Sequence, residues 1–252
     1  MKAAPSLALP RFAGEGTFLV TLVVSALTLG TAIPLGGAAE SAAAVTVTFE
    51  DTDVGQLPKG FATALTGSGG PVSWRVEEDP TAPAGPRVLV QRSAEKTNGC
   101  FPVAVYETIS TADLTLTVDF KPVSGTVDQA AGLVWRYQDA DNYYLVRANA
   151  LEGNVVPYRV QAGKRSDLKP MGSGFLAYGT KVEVPSGKWS TLRLEARGKR
   201  FSVSLNGQRL FDVEDETFTA AGKIGLWTKA DSVTEFDRLT IEPLDGGSRC
   251  NG

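Results

Sequence analysis

Hydrophobic and polar side chains alternate through residues 131–149, AGLVWRYQDADNYYLVRAN, and a short acidic turn interrupts them. A period of two places successive side chains on opposite faces of a strand, so the pattern predicts an antiparallel hairpin. On its first strand, one face is predicted to carry Leu133, Trp135 and Tyr137, and the other Val134, Arg136 and Gln138. On its second strand, Tyr144, Val146 and Ala148 are predicted to alternate with Tyr143, Leu145, Arg147 and Asn149. One face is typical of a core, and the face with arginine, amide and tyrosine groups is the candidate for function.

Short alternating segments rich in valine, threonine and aromatic residues recur between residues 45 and 244, separated by glycine and proline. The dipeptide Asn206-Gly207 lies between two of them and is typical of a type I′ hairpin turn. No segment shows sustained helical periodicity. About fourteen predicted strands therefore favour an all-β fold, a two-sheet antiparallel jelly-roll sandwich that forms one domain over residues 45–244.

Residues 1–39 have the composition of a signal peptide. Lys2 and Arg11 precede an uncharged run from Thr17 to Ala39, which ends in small residues. We therefore expect a secreted or extracytoplasmic protein, without stable membrane insertion after cleavage, and a C-terminal tail over residues 245–252. The alternative is an N-terminal membrane anchor, because the uncharged run is long enough to span a bilayer, although its glycines and proline weaken that interpretation.

The chain contains two cysteines, Cys100 and Cys250. In an exported protein an even pair is more often bridged than free, so a disulfide between them is expected. The alternative is two unpaired thiols. A bridge would attach the C-terminal tail to the body of the domain.

The 252-residue chain contains no histidine. This excludes Ser-His-Asp triads, Cys-His dyads and histidine-ligated zinc, and it leaves carboxylates, lysine, tyrosine or an oxygen-ligated metal for any catalysis. The net charge is −3 and the isoelectric point is about 5.2. Because nucleic-acid-binding domains usually carry a basic stripe, no nucleic-acid partner is predicted.

Four stretches give the chain a family resemblance: FEDTDVGQLPKGF at 49–61, GLVWRYQDADNYYLVRAN at 132–149, WSTLRLEARG at 189–198 and GKIGLWTKADSVTEFDRL at 222–239. With them the chain resembles the concanavalin A-like lectin/glucanase superfamily and, within it, the glycoside hydrolase-like family of 3-keto-disaccharide hydrolase domains. The resemblance implies the jelly-roll fold and a carbohydrate partner. The Glu-x-Asp-x-x-Glu motif of the superfamily's glucanases is absent, so retaining hydrolysis by paired carboxylates is not expected.

A sugar-binding groove is predicted on the polar face of the 131–149 hairpin, with two further residues from a strand that the family resemblance implies is nearby. Arginine and amide groups form hydrogen bonds with sugar hydroxyls, and aromatic rings stack on the apolar C–H faces of the sugar. The candidate ligand-binding residues are Arg136, Gln138, Tyr143, Arg147, Asn149, Trp227 and Lys229. The alternative is a solvent-facing polar surface, with Tyr143 and Trp227 packed in the core.

The resemblance also implies a structural calcium ion, although no cofactor is required for the predicted function. The matching ligands are Glu50 or Asp51 near the first strand and Asp237 in the last, completed by backbone carbonyl oxygens. The alternative is that Asp51 and Asp53 cap a turn and Asp237 faces water.

Three functions remain open from the sequence. The first is a non-catalytic carbohydrate-binding domain, the second is a hydrolase or lyase acting on modified, 3-keto disaccharides, and the third is an adhesion or structural sandwich. Catalysis predicts a partly buried carboxylate with a raised pKa beside Arg136 and Arg147. Adhesion predicts a broad apolar patch instead of a groove.

Overall fold

A computed structural model describes residues 43–174 and 177–244 of the chain. The predicted signal peptide at 1–39, the tail at 245–252 and Cys250 therefore lie outside the described residues. No helix in the described ranges is long and apolar enough to cross a membrane.

The strands are β1 (Val45–Val47), β2 (Phe61–Gly67), β3 (Trp74–Glu78), β4 (Arg87–Gln91), β5 (Cys100–Thr111), β6 (Leu114–Ser124), β7 (Ala130–Asp139), β8 (Asn142–Asn149), β9 (Asn154–Gln161), β10 (Lys164–Asp167), β11 (Thr180–Lys181), β12 (Ser190–Arg197), β13 (Arg200–Leu205), β14 (Gln208–Glu214), β15 (Gly222–Trp227) and β16 (Val233–Pro243).

The strands form two sheets of eight. The first sheet has the order β14-β13-β12-β6-β16-β4-β3, and β1 pairs with β16. The second has the order β10-β9-β8-β7-β15-β5-β2, and β11 pairs with β9. Central neighbours such as β6 and β16, or β7 and β15, are distant in sequence and antiparallel. The predicted all-β, two-sheet antiparallel jelly roll is confirmed.

The main hydrophobic core lies between the sheets. On β6 of the first sheet, Leu116, Val118 and Phe120 alternate with polar residues and are fully buried. From the second sheet, Trp135 stacks on Tyr144 with ring centroids 5.4 Å apart and meets the edge of Phe201 at 5.1 Å. These large aromatic rings thus pack against each other between the two sheets.

A second apolar cluster covers the outer face of the second sheet. It consists of Phe101, Val103, Val105, Ala130, Val134, Tyr143, Leu145, Val156, Tyr158, Val160 and Trp227. The sequence prediction of a polar face is therefore wrong for the middle of this face, because both faces of the central strands are apolar. Polar side chains concentrate at one end of it.

A β-bulge interrupts the alternation of β7. The pairing register with β15 shifts by one residue between Val134 and Tyr137, and Arg136 adopts a positive φ of 48°. The extra residue reverses the side-chain parity beyond it, so Tyr137 packs on Tyr143 of the outer face at 5.6 Å instead of following Trp135 inward. Gly222 lies opposite, where an added Cβ would stand only 2.5 Å from the carbonyl carbon of Arg136.

Candidate functional site

Arg136 does not lie on the face that carries Arg147, which corrects the sequence prediction. Its guanidinium lies over the ring of Phe201 in the main core, 5.4 Å from the centroid. It donates to the backbone carbonyls of Ala112, Gly198 and Phe218 at 2.6–2.9 Å, and it forms an ion pair with Asp113 at 3.2 Å. The bulge turns this side chain inward, and burial lowers the pKa of its guanidinium. Arg136 therefore holds three connecting loops together.

Gln138 is exposed at the hairpin end of β7 and also lies away from the Arg147 side chain. Its amide donates to the carbonyls of Arg136 at 3.3 Å and Ala221 at 3.1 Å. These contacts stabilise the bulge locally. The prediction that Arg136, Gln138 and Arg147 share one surface is wrong. The bulge inserts one residue into β7, and this reverses the direction of every side chain that follows it in the strand.

Arg147 lies on the outer face of the second sheet and forms a charged hydrogen-bonded group with the next turn. It donates to both carboxylate oxygens of Glu152, at 3.1 and 2.7 Å, and to Oδ1 of Asn154 at 2.8 Å. The turn places Glu152 there because Oδ1 of Asn149 accepts from the backbone N–H groups of Leu151 and Glu152. An asparagine that caps a turn in this way fixes the direction of the following residues.

Asn149 and Lys229 extend this group toward Asp128. Nδ2 of Asn149 donates to the Asp128 carboxylate at 2.5 Å, and Nζ of Lys229 lies 2.6 Å from it. The Asp231 carboxylate accepts three backbone N–H groups of residues 126–128, which fixes the loop that carries Asp128. We call Asp128, Arg147, Asn149, Glu152, Asn154 and Lys229 the Arg147 cluster.

Aromatic rings border the Arg147 cluster. The Arg147 guanidinium lies 5.5 Å from the ring centroid of Tyr158 and 6.0 Å from that of Tyr178. Their hydroxyls share a hydrogen bond of 2.5 Å. Tyr178 is 44% exposed, whereas Arg147 has no exposed surface. A ligand approaching this end of the face therefore meets Tyr178 before it meets the guanidinium.

Arg165 of β10 lies over the aromatic part of the outer cluster. Its guanidinium carbon is 4.6 Å from the Phe101 ring centroid, 4.5 Å from Tyr158 and 5.6 Å from Trp227. Trp227 and Tyr143, two predicted ligand-binding residues, lie on the predicted face but are fully buried. Burial raises the pKa of Tyr143 to about 12, so its hydroxyl stays protonated and bonds Thr66 at 2.8 Å.

Glu152 is the acid that the structure brings to Arg147. Burial opposes its ionisation, but the hydrogen bond and charge of Arg147 outweigh burial, and the pKa of Glu152 is lowered from its ordinary 4.5. Its side chain remains 37% exposed. Glu152 is therefore an ionised hydrogen-bond acceptor within reach of solvent, and the raised carboxyl pKa that catalysis by a proton donor predicts is not found at this residue.

Three buried donors on the same face have no hydrogen-bond partner within the described parts of the chain. They are Nε of Arg147, Nη1 of Arg165 and Nε1 of Trp227. Buried polar groups are almost always satisfied, so an ordered water is the expected partner of these covered N–H groups.

Two of the predicted calcium ligands, Glu50 and Asp237, accept hydrogen bonds from the loop that precedes β4. Asp237 accepts from the backbone N–H of Ala84 at 2.7 Å and of Arg238 at 2.7 Å, and burial raises its pKa. Glu50 accepts from the backbone N–H of Arg87 at 2.9 Å, and Asp51 is exposed. Over residues 43–174 and 177–244, no group of three or more acidic, cysteine or histidine side chains is arranged to hold a metal ion.

The guanidinium of Arg87 meets the backbone oxygens beside this loop. It donates to the carbonyls of Glu50 at 2.9 Å and Thr52 at 2.7 Å. Carbonyl oxygens of this kind would complete the shell of a hard cation, and here they accept from an arginine instead. Calcium binding by Glu50, Asp51 and Asp237 stays a prediction that these contacts do not favour.

Cys100 begins β5 and is fully buried, and burial raises the pKa of its thiol. Its predicted partner lies outside the described residues, so the disulfide with Cys250 stays a prediction.

Asp128, Glu152, Asn154, Tyr158, Arg165 and Tyr178 were not predicted as site residues. All of them lie in loops or on strands outside the hairpin that the alternation singled out. One signal was present in the sequence: Asn149 ends a strand three residues before Glu152, a spacing typical of an asparagine-capped turn.

Comparison with protein-family models gives one match, which covers residues 59–242 and is described as a 3-keto-alpha-glucoside-1,2-lyase-like domain. The chain belongs to this family. The resemblance inferred from the four sequence stretches is thereby confirmed, and the domain is glycoside-related. No curated protein matches the chain.

Solved structures of other proteins have a fold similar to that of this chain. Carbohydrate binding module CBM66 from Bacillus subtilis superposes with a TM-score of 0.55 at 23% identity, covering 73% of this chain and 95% of that one. A protein of unknown function from Shewanella oneidensis MR-1 gives 0.52 at 14% identity, covering 83% and 89%. At these identities the likeness concerns the fold, and function must be argued at the site.

Proposed function

We propose that this chain is an exported, non-catalytic carbohydrate-binding domain that recognises a glycan at the Arg147 cluster. The observation that carries the proposal is the position of Glu152, an ionised and partly exposed carboxylate that Arg147 holds beside the exposed ring of Tyr178. Carboxylates accept hydrogen bonds from sugar hydroxyls, and an exposed aromatic ring stacks on the apolar face of a pyranose or furanose.

The roles within the site differ from those that the sequence predicted. Glu152 and Tyr178 are the accessible groups and contact the glycan. Arg147 is a positioning residue, because its guanidinium is covered and directs Glu152. Asn149 fixes the turn, and Lys229 neutralises Asp128 at the far end. Carbohydrate binding and an extracytoplasmic location agree with the family and with the module to which the fold is similar.

A glycan array with the full chain tests this proposal. Wild-type protein is expected to bind at least one class of neutral glycan, and Tyr178→Ala is expected to reduce the signal at least about tenfold through lost stacking. Arg75→Gln, an exposed arginine on the first sheet, is the matched surface control and should leave the signal unchanged. An array on which wild-type protein binds no glycan would overturn the proposal and favour adhesion.

The second candidate function is an eliminating cleavage of 3-keto glycosides, which the family description favours. In such a step Glu152 would take the proton from C2, acidified by the neighbouring ketone. The C–H electrons would form the C1–C2 double bond, and the C1–O bond would break with its electrons on the leaving oxygen, which solvent protonates. The lowered pKa makes Glu152 a weaker base than an ordinary glutamate, so the position of its ionised carboxylate, and not its basicity, would have to favour proton removal.

Incubation with a 3-keto-α-glucoside separates the two functions. The binding proposal predicts that wild-type protein releases no more aglycone than buffer does. Release by wild-type protein that Glu152→Gln abolishes would contradict the non-catalytic proposal and establish the lyase activity.

A further inference from the structure

A basic trough lies on the outer face of the first sheet, across β12, β13 and β14. The pairing register aligns Arg193 with Ser204 and Ser204 with Arg209, so a small hydroxyl side chain lies between two arginines. Ser202 continues the floor along the middle strand. The resulting depression has a volume of about 240 Å³, and it is bordered by Arg193, Arg197, Arg200 and Arg209 with Ser202 and Ser204 between them.

Positive charge exceeds negative charge in this trough. Glu195 is shared by Arg193 at 3.5 Å and Arg197 at 2.9 Å. Asp212 is shared by Arg200 and Arg209. Two carboxylates thus pair with four guanidinium groups, and Glu214, which lies across from Arg200, forms its own ion pair with Lys199 at 3.4 Å. The excess is positive although the whole chain has a net charge of −3. The positive surface is local, and it lies on the sheet opposite to the one that carries the Arg147 cluster.

The four arginines have N–H donors that the protein's own acids do not use. Their side chains are 45–63% exposed. A guanidinium has five N–H donors in a planar fork that matches carboxylate, sulfate and phosphate oxygens, and the protein's own acids occupy only a part of them. Neighbouring strands are about 4.8 Å apart, so Arg193 and Arg209 stand roughly 10 Å from each other across the serine floor. This spacing suits successive anionic groups on a flexible polymer.

We propose that this trough binds a polyanionic glycan, a polysaccharide that carries sulfate or carboxylate groups along its chain. Charge complementarity favours an anionic ligand, and the serine hydroxyls favour one that also presents sugar hydroxyls. No aromatic side chain from the described ranges lines the trough, so the base stacking that single-stranded nucleic acids require is not provided. The site is independent of the glycan site proposed at the Arg147 cluster.

Binding of dextran sulfate and unsulfated dextran of equal length to the full chain tests this inference. Wild-type protein is expected to bind the sulfated polymer, with affinity that falls as salt rises, and not the neutral one. The double variant Arg193→Gln/Arg209→Gln should bind at least about tenfold more weakly. The control Lys96→Gln/Lys188→Gln removes the same charge at exposed sites elsewhere and should change affinity less than about twofold.

Asp212→Asn distinguishes ligand binding by the trough arginines from a merely structural role of these arginines. It removes an internal competitor for Arg200 and Arg209, so binding of dextran sulfate should become several-fold tighter. Equal weakening in both double variants, equal binding of the two dextrans, or tighter binding of oligodeoxythymidylate than of dextran sulfate would overturn the inference.

Binding at the trough and binding at the Arg147 cluster can be tested separately. Arg193→Gln/Arg209→Gln should keep binding the neutral glycan found on the array, and Tyr178→Ala should keep binding dextran sulfate. If Tyr178→Ala lost both ligands, one shared site would explain both activities and the separate trough would be wrong.

Discussion

Arg136 and Arg147 lie on the paired strands of one hairpin, yet their guanidinium groups project to opposite faces of the second sheet. Arg136 donates inward to the carbonyl of Phe218 at 2.7 Å, and Arg147 donates to Glu152 at 2.7 Å on the outer face. The first arginine ties loops to the core, whereas the second positions an accessible carboxylate. Substitutions of the two should therefore affect different properties of the protein.

Arg136→Gln should destabilise the fold without a direct effect on glycan binding. The shorter amide cannot reach the carbonyls of Ala112, Gly198 and Phe218 together, and buried acceptors without a partner cost about 1–3 kcal/mol each. We expect the free energy of unfolding to fall by about 3 kcal/mol in urea denaturation. Unchanged stability, or a loss of glycan affinity in protein that is fully folded, would contradict the structural role of Arg136.

Gly222→Ala should destabilise the protein through the bulge in β7. The added Cβ would stand 2.5 Å from the carbonyl carbon and 2.7 Å from the Cα of Arg136, so backbone must shift. A cost of about 2–3 kcal/mol is expected for such crowding. Gly174→Ala is the control, because its Cβ would meet nothing within 4 Å. Equal melting temperatures for the two variants would show that the bulge tolerates a side chain.

The fold was largely predictable from the sequence, and the site only in part. Strand alternation and the Asn206-Gly207 turn specify antiparallel strands through local geometry. A bulge adds one residue without any change in composition, so the direction of Arg136 was not predictable. Glu152 joins Arg147 only when the Asn149 turn closes, a contact that alternation within one strand does not reveal.

Glu152→Gln should reduce stability at neutral pH and have no effect at low pH. The pKa of Glu152 is lowered in the folded protein, so its stabilising contribution is present above the unfolded value of 4.5 and is lost as pH falls through the folded value. Melting curves from about pH 7 to about pH 3 should show a difference that is constant well above 4.5 and shrinks as the pH falls below it. Glu242→Gln, at an exposed position, serves as the control. A difference that grows on acidification would contradict the assigned Arg147 pair.

Calcium should leave the melting temperature of the wild-type protein within about 1 °C of its value in a chelator. Arg87 already donates to the carbonyl oxygens of Glu50 and Thr52 that a cation would use. Arg87→Ala removes both contacts and should lower the free energy of unfolding by about 1–2 kcal/mol. A calcium-dependent rise of several degrees in the wild-type protein would show that Glu50, Asp51 and Asp237 bind the ion after all.

Calorimetric titration of Glu152→Gln with a neutral glycan that binds the wild-type protein tests the central claim most directly. The Arg147 cluster presents Glu152 as the accessible acceptor, so affinity should fall at least about tenfold, while Arg75→Gln binds as the wild type does. Arg147→Gln combined with Glu152→Gln should bind no more weakly than Glu152→Gln alone, because the guanidinium acts through the carboxylate. Full affinity in Glu152→Gln would contradict the assignment of the glycan site to this face.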